Sequence, residues 1–272
     1  MSLTSQQVFL SDLTRNASLK KWCHIILIPS LFAQSEKSEA CLNIENLTCP
    51  LCKTEKVSEF FHDKRRAYIH CLVCDLVFVP PWQFISEEEE KNRYDLHRNS
   101  PKDQGYRSFL NRIFIPMQKC LTPESCGLDF GSGPQPTLSV MFEEAGHSMA
   151  IFDFFYENVP SVLEKQYDFI TATEVVEHLH NPREELEKLW ACLKHGGRLG
   201  IMTKLVPDLD VFSCWHYKND ATHVCFFSLA TFQWLALQWD ADMTFADKDV
   251  VLFHKKTASS CQCLAAEGEI SQ

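Results

Sequence analysis

From Ser125 onward the chain alternates short apolar runs with helical stretches, and this rhythm constrains the fold more than any other feature of its 272 residues. Gly127–Phe130 reads as a buried strand, Gln135–Ala145 as a helix, and Ser148–Phe152 as a second strand ending at Asp153. Asp168–Thr173 is a third strand with a helix after Glu174, and Arg198–Thr203 is a fourth. Asn181 and Pro182 mark a helix start, the first as cap and the second at the opening position, where a missing N–H is no loss. Phe226–Trp239 reads as another helix, and Met243–Ala246 with Asp249–Phe253 as a closing antiparallel hairpin. Such alternation predicts an α/β fold, a doubly wound sheet with helices on both faces.

Upstream lie two cysteine pairs, Cys49-Pro50-Leu51-Cys52 and Cys71-Leu72-Val73-Cys74, at the separation of a zinc ribbon. Each CxxC puts two thiolates on one tight knuckle, and two knuckles complete a tetrahedral four-thiolate shell for Zn2+. A closed shell has no open position, so this zinc is expected to be structural. The remaining cysteines are dispersed, as in a reducing compartment, and a cytoplasmic location is expected. Lys64-Arg65-Arg66 offers positive charge to a phosphate, yet Lys and Arg merely balance Asp and Glu over residues 45–82, and the whole chain carries a formal charge of −10. Nucleic-acid binding needs clustered cations to displace counterions, so it is not expected here. The ribbon is expected instead to pack against the rest of the chain or to cover a substrate.

Leu128-Asp129-Phe130-Gly131-Ser132-Gly133-Pro134 places a glycine turn where the first strand meets the first helix. Gly131 and Gly133 let backbone approach a ligand closely, and the helix start presents free N–H groups. A dinucleotide fingerprint needs a third glycine where Pro136 stands. The sequence resembles the class I S-adenosylmethionine-dependent methyltransferases, whose first motif is an acidic residue followed by GxGxG. Asp129, Gly131 and Gly133 match, while Gln135 replaces the third glycine. Tyr167–Ile170 through Val175–Leu179 resembles the family's fourth-strand motif, and Leu193-Lys194-His195-Gly196-Gly197 its LKPGG turn. The resemblance covers residues 85–256 and implies a Rossmann-like sheet with S-adenosylmethionine as cofactor. It further implies a cofactor site of Asp129, Phe130, Gly131, Ser132, Gly133 and Thr173, with Asp153 on the ribose hydroxyls and Tyr94 and His97 in the covering segment. Only fourteen residues separate Asp153 from Asp168, too few for a third strand and its helix, so no adenine-contacting residue is assigned.

Glu174, Glu177 and His178 are spaced to share one face of a helical turn, and His216 and His223 follow ahead of Phe226-Phe227. This pattern resembles two metal-dependent O-methyltransferase groups, those of ubiquinone biosynthesis and those acting on the 3′ end of small RNAs. By that resemblance Glu174, Glu177, His178 and His223 would hold Mg2+ or another divalent cation, which binds a substrate hydroxyl and lowers its pKa. Many methyltransferases carry an EH at this turn without a metal. In that case His178, His216 or His223 is the candidate general base.

The expected organisation is an N-terminal extension over 1–44, the ribbon over 45–82, and a helical linker or lid over 83–120. The methyltransferase domain follows over 121–256, with a disordered tail over 257–272. The acidic run Glu87–Glu90 reads as a solvated helix start. Lys20-Lys21 and the apolar residues after them are too late and too short for a signal peptide or membrane span. The expected acceptor is a small-molecule hydroxyl. The alternatives are an RNA or protein acceptor presented by the ribbon, and a non-catalytic binding module. No oligomeric state follows from the sequence.

Overall fold

The computed structural model describes residues 46–96 and 100–257. The N-terminal extension, His97 and the tail after Thr257 lie outside the described residues. Strands β1 (Val57–His62), β2 (Ala67–Cys71) and β3 (Val77–Phe78) span the segment that the sequence leads one to expect as a ribbon, and helices α1 (Glu87–Tyr94) and α2 (Gln104–Gln118) follow. Next come β4 (Cys126–Phe130), α3 (Thr137–Glu144), β5 (Ser148–Phe152), β6 (Tyr167–Thr173), α4 (Pro182–Ala191) and β7 (Leu193–Met202). The chain ends its described course with α5 (Leu209–Cys214), β8 (Cys225–Phe226), α6 (Leu229–Gln238), β9 (Ala241–Asp247) and β10 (Val250–Lys255).

Six strands form the main sheet in the order β5-β4-β6-β7-β10-β9. β5, β4, β6 and β7 run parallel, and β10 and β9 close the sheet antiparallel, as the expected hairpin requires. Side chains alternate across β10. Val250 and Leu252 join Leu110, Ile113 and Met117 of α2 and Phe142 of α3, whereas Val251 and Phe253 face the cluster holding Leu186 and Leu189 of α4 and Phe232 of α6. Helices therefore cover both faces. No third parallel strand follows β5; the chain crosses to β6 through a 3-10 turn over Pro160–Glu164.

Three local readings are corrected. Phe226 is a strand residue, not the start of a helix: β8 pairs with β3, giving the ribbon a second sheet of order β1-β2-β3-β8, and α6 begins only after Ser228, which caps it with Thr231. Asn181 precedes α4 but makes no side-chain cap bond. After Glu174 there is no α-helix, only a 3-10 turn over Val176–His178. Among the described residues no helix is long and apolar enough to cross a membrane.

Candidate active site

A cavity of about 800 Å3 opens at the carboxyl ends of the parallel strands, where open α/β sheets place their ligands. Phe130, Gly131, Ser132 and Gly133 line it from the β4 turn, Asp153 from the end of β5, and Thr173, Glu174 and His178 from the end of β6. His223 reaches it from the loop before β8, and Tyr94 from α1. The site is thus assembled from five separate stretches of chain.

The glycine turn has different constraints at its two glycines. Both have positive φ, 74° at Gly131 and 64° at Gly133. A Cβ on Gly131 would fall 2.3 Å from Val175 Cγ2, while one on Gly133 would meet nothing within 4 Å. Gly131 is therefore fixed by packing, and Gly133 leaves room for a ligand. Asp153 ties the turn to β5: its Oδ2 accepts from Gly133 N at 2.8 Å, and its Oδ1 accepts from Phe155 N and Tyr156 N.

Asp129 does not line the cavity. Its oxygens accept from Thr171 Oγ1 at 2.9 Å and Ser139 Oγ at 3.2 Å, so it fastens β4 to β6 and α3, and burial pushes its pKa up to about 6. Tyr94 donates to Glu90 Oε1 at 2.7 Å and packs edge-on against His178. Glu90 is only 7% exposed and lines the cavity, while Glu87, which also borders it, and Glu88 and Glu89 are exposed as a solvated helix start requires. Sequence reading also missed Phe154-Phe155-Tyr156, which line the wall after Asp153. Tyr156 donates to Asp95 Oδ1 at 2.6 Å, and Phe155 meets Tyr94, so α1 closes over this aromatic wall.

His178 and His223 line the cavity and Glu177, fully buried, does not, yet one ligand atom from each of the three lies within 4.8 Å of the other two. Glu174 is outside that trio, because it turns in the left-handed region at φ 52° before the 3-10 turn begins. This strained conformation at a strand end redirects the chain so that Glu177 and His178 come back toward the cavity. Tyr217 links the two carboxylates, donating to Glu177 Oε1 and, at 3.4 Å, to Glu174 Oε2. Glu177 is fully buried, and its Oε2 has no hydrogen-bond partner among the described residues.

Burial and the neighbouring Glu177 push Glu174 up to about 8, and burial raises Glu177 as well. His223 is held down to about 4 by burial and by His178. The neutral His223 ring donates from Nδ1 to the Tyr217 carbonyl at 2.8 Å, which leaves its lone pair on Nε2. His178 Nδ1 is 3.2 Å from the Thr222 carbonyl. His216 is not brought into the group: it is exposed, does not line the cavity, and lies beside Lys204.

In the ribbon, Cys49 Sγ and Cys74 Sγ are 3.5 Å apart, and Cys52 Sγ and Cys71 Sγ 3.4 Å. All four sulfurs lie within 4.8 Å of one another. A tetrahedral Zn–S shell with ~2.3 Å bonds has sulfur–sulfur edges of about 3.8 Å. The amides of Cys52, Val73 and Cys74 point at cysteine sulfurs, as donors that favour thiolate over thiol.

A mainly parallel sheet with a glycine turn after its first strand and a cavity at its strand ends defines an α/β fold with a ligand-sized cavity at the carboxyl end of its sheet. Residues 87–244 match the family described as "Methyltransferase domain", and the chain belongs to it; the protein is a methyltransferase. No curated protein sequence matches it. Similar solved structures include a Burkholderia thailandensis 1,6-didemethyltoxoflavin-N1-methyltransferase with bound 1,6-didemethyltoxoflavin and S-adenosylhomocysteine. It has 14% identity and a TM-score of 0.42, over 72% of this chain and 98% of that one. A Synechocystis magnesium protoporphyrin IX methyltransferase is also similar, with 11% identity and a TM-score of 0.41 over 62% and 94%. An O-methyltransferase family protein from Burkholderia thailandensis has 10% identity and a TM-score of 0.40 over 62% and 63%.

Proposed function

We propose that the protein transfers a methyl group from S-adenosylmethionine to the hydroxyl of a small molecule, at a divalent cation held by Glu177, His178 and His223. The observation that carries this reading is the buried Glu177 Oε2 left without a partner beside two imidazoles. Burial disfavours the charged form of this carboxyl, and a cation bound between it and the two imidazoles would supply the compensating charge and use the free oxygen. Nitrogen ligands favour Mn2+, Fe2+ or Zn2+ over Mg2+. The cofactor supplies an electrophilic methyl group, and a bound cation supplies a lowered hydroxyl pKa.

The chain's own residues prepare these chemistries. Gly133, Asp153 and the aromatic wall of Phe154–Tyr156 suit the cofactor, with open space at Gly133 and flat apolar surface for a base. Asp153 retains acceptor capacity beyond its three N–H partners. Tyr217 orients Glu177, and the Tyr217 carbonyl sets the His223 tautomer. Tyr94 and Glu90 close the cavity and exclude water from the transfer. The four cysteines hold a structural Zn2+ in the ribbon over residues 45–82, with 83–120 as lid and 121–256 as the catalytic domain. An RNA acceptor fits less well, because Arg66, the third residue of the basic triplet, is buried and turned inward. A reducing, cytoplasmic setting suits the free thiols of the scattered cysteines.

Calorimetry with S-adenosylmethionine tests the core of this reading, and the absence of binding at millimolar cofactor would refute it. Two further results are expected. Gly131→Ala should lower stability by about 2–3 kcal/mol, from the Val175 clash and the positive φ, while Gly133→Ala should mainly weaken cofactor binding. Equal losses of melting temperature in the two variants would contradict this division. Mn2+ affinity should rise with pH from 6 to 8, because burial raises the pKa of both Glu174 and Glu177 and a carboxyl proton must leave before the cation binds. One displaced proton gives up to ~10-fold per pH unit, and a flat titration would remove the carboxylates from the site.

A further inference from the structure

Arg66 is 8% exposed, and buried arginines ordinarily pair with carboxylates. This one does not. Its Nη1 donates to the carbonyls of His223 at 2.9 Å and Ala221 at 3.2 Å, and its Nη2 to those of Asp220 at 2.8 Å and Lys218. All four acceptors belong to the single loop that carries Tyr217 and His223. The nearby Asp63 is already engaged, accepting from the buried Lys218 Nζ at 2.7 Å, and Tyr68 donates to the Lys218 carbonyl at 3.1 Å. Asp63 and Arg66 of the turn between β1 and β2, with Tyr68 of β2, therefore hold the loop at three side chains.

Within itself the loop is held by short local bonds: Asp220 Oδ1 accepts from Thr222 N and Thr222 Oγ1, and His223 Nδ1 donates to the Tyr217 carbonyl. It contains a 3-10 turn over His216–Asn219, and its internal backbone bond from His223 N to Asp220 O is 3.3 Å long. Drawing four carbonyls toward one guanidinium fixes its path. With the path fixed, the His223 ring meets His178 at a centroid distance of 4.7 Å, and the Tyr217 hydroxyl meets Glu177. A lysine at position 66 keeps the charge, but its single nitrogen cannot span four carbonyls as a planar fork does.

We propose that Arg66 is a positioning residue for methyl transfer: its guanidinium holds the 217–223 loop so that Tyr217 and His223 stand against Glu177. The ribbon is then a scaffold for the reacting end of the cavity. This inference rests on the reading above, in which Glu177 and His223 serve the reaction.

The test uses the full chain with its zinc, as wild type, Arg66→Met and Arg66→Lys, and does not depend on metal binding alone. Hydrogen exchange should accelerate at least tenfold in the peptide covering 217–224 in both variants, with 127–135 unchanged. The Kd for S-adenosylmethionine should stay within twofold, while Mn2+ affinity falls ~10- to 100-fold and kcat falls with it. Methylguanidinium should restore part of the Mn2+ affinity to Arg66→Gly. Unchanged exchange at 217–224, or a loss of cofactor affinity as large as the loss of kcat, would overturn the proposal. Wild-type protein that takes up no Mn2+ would refute the cation reading by itself, and the exchange and kinetic results would still decide the role of Arg66. Should Arg66→Met fail to fold, the lysine variant, which keeps the charge and stem, carries the same comparison.

Discussion

Glu177→Gln is expected to make the metal-free protein more stable and the enzyme nearly inactive. The carboxyl is fully buried, has one oxygen without a partner among the described residues, and has its pKa raised by desolvation. An amide keeps an acceptor for the Tyr217 hydroxyl and removes the cost of burying a charge, a gain of about 1–3 kcal/mol at pH 8. The sign follows from linkage. A carboxyl with a raised folded pKa is stabilising while protonated, below its unfolded value, and that advantage is lost as pH rises through the folded pKa. The gain from glutamine should therefore grow with pH and vanish near pH 4. Activity should fall at least ~100-fold, since even partners one bond removed from a ligand cost 10- to 100-fold. Mn2+ should raise the melting temperature of wild type and leave the variant unmoved. A variant that melts lower than wild type without metal, or gains equally from Mn2+, would count against this account.

Cys74→Ser is expected to abolish the proposed zinc site and cost the segment of β1 to β3 its fold. Structural zinc contributes ~10 kcal/mol or more to small zinc-dependent folds, comparable with the whole stability of a typical domain. The damage should spread, because β3, which begins three residues after Cys74 of the second knuckle, is hydrogen-bonded to β8, and the His223 loop leads directly into β8. Methyl transfer should therefore fall with zinc content. The exposed Cys120 is the control, since its serine variant should change stability by no more than about 0.5 kcal/mol. Zinc analysis, thermal melting and turnover on the same samples decide the matter; full zinc occupancy in Cys74→Ser would rule out the four-thiolate shell.

The parallel strands, the glycine turn, the absent third strand and the clustering of the cysteine pairs were legible because each is local: a period, a φ requirement or a spacing. What escaped is non-local or depends on direction. β8 is two residues long and exists only through its pairing with β3, so nothing in its own sequence separates it from the helix behind it. Arg66 sits in an ordinary basic triplet, and only the tertiary fold turns it inward. Asp129 could have been placed correctly, since strand neighbours point to opposite faces and Phe130 is the residue toward the cavity. Glu90 was also within reach, because a residue four before Tyr94 shares its helix face. Glu174 was misjudged through its backbone, as a left-handed glutamate breaks the helical spacing assumed for Glu174, Glu177 and His178.

The strand pairing between Val77–Phe78 and Cys225–Phe226 also sets an order of events during synthesis. The two CxxC pairs are made before the main sheet and can take the proposed zinc then, yet the edge of β3 stays open until four of the six strands of that sheet have been translated. Such distant closure is slow and leaves a hydrophobic strand edge exposed in the interval. Early zinc uptake would hold that edge short and ordered, so cells starved of zinc during expression should yield aggregated chain, and zinc added after synthesis should rescue little of it.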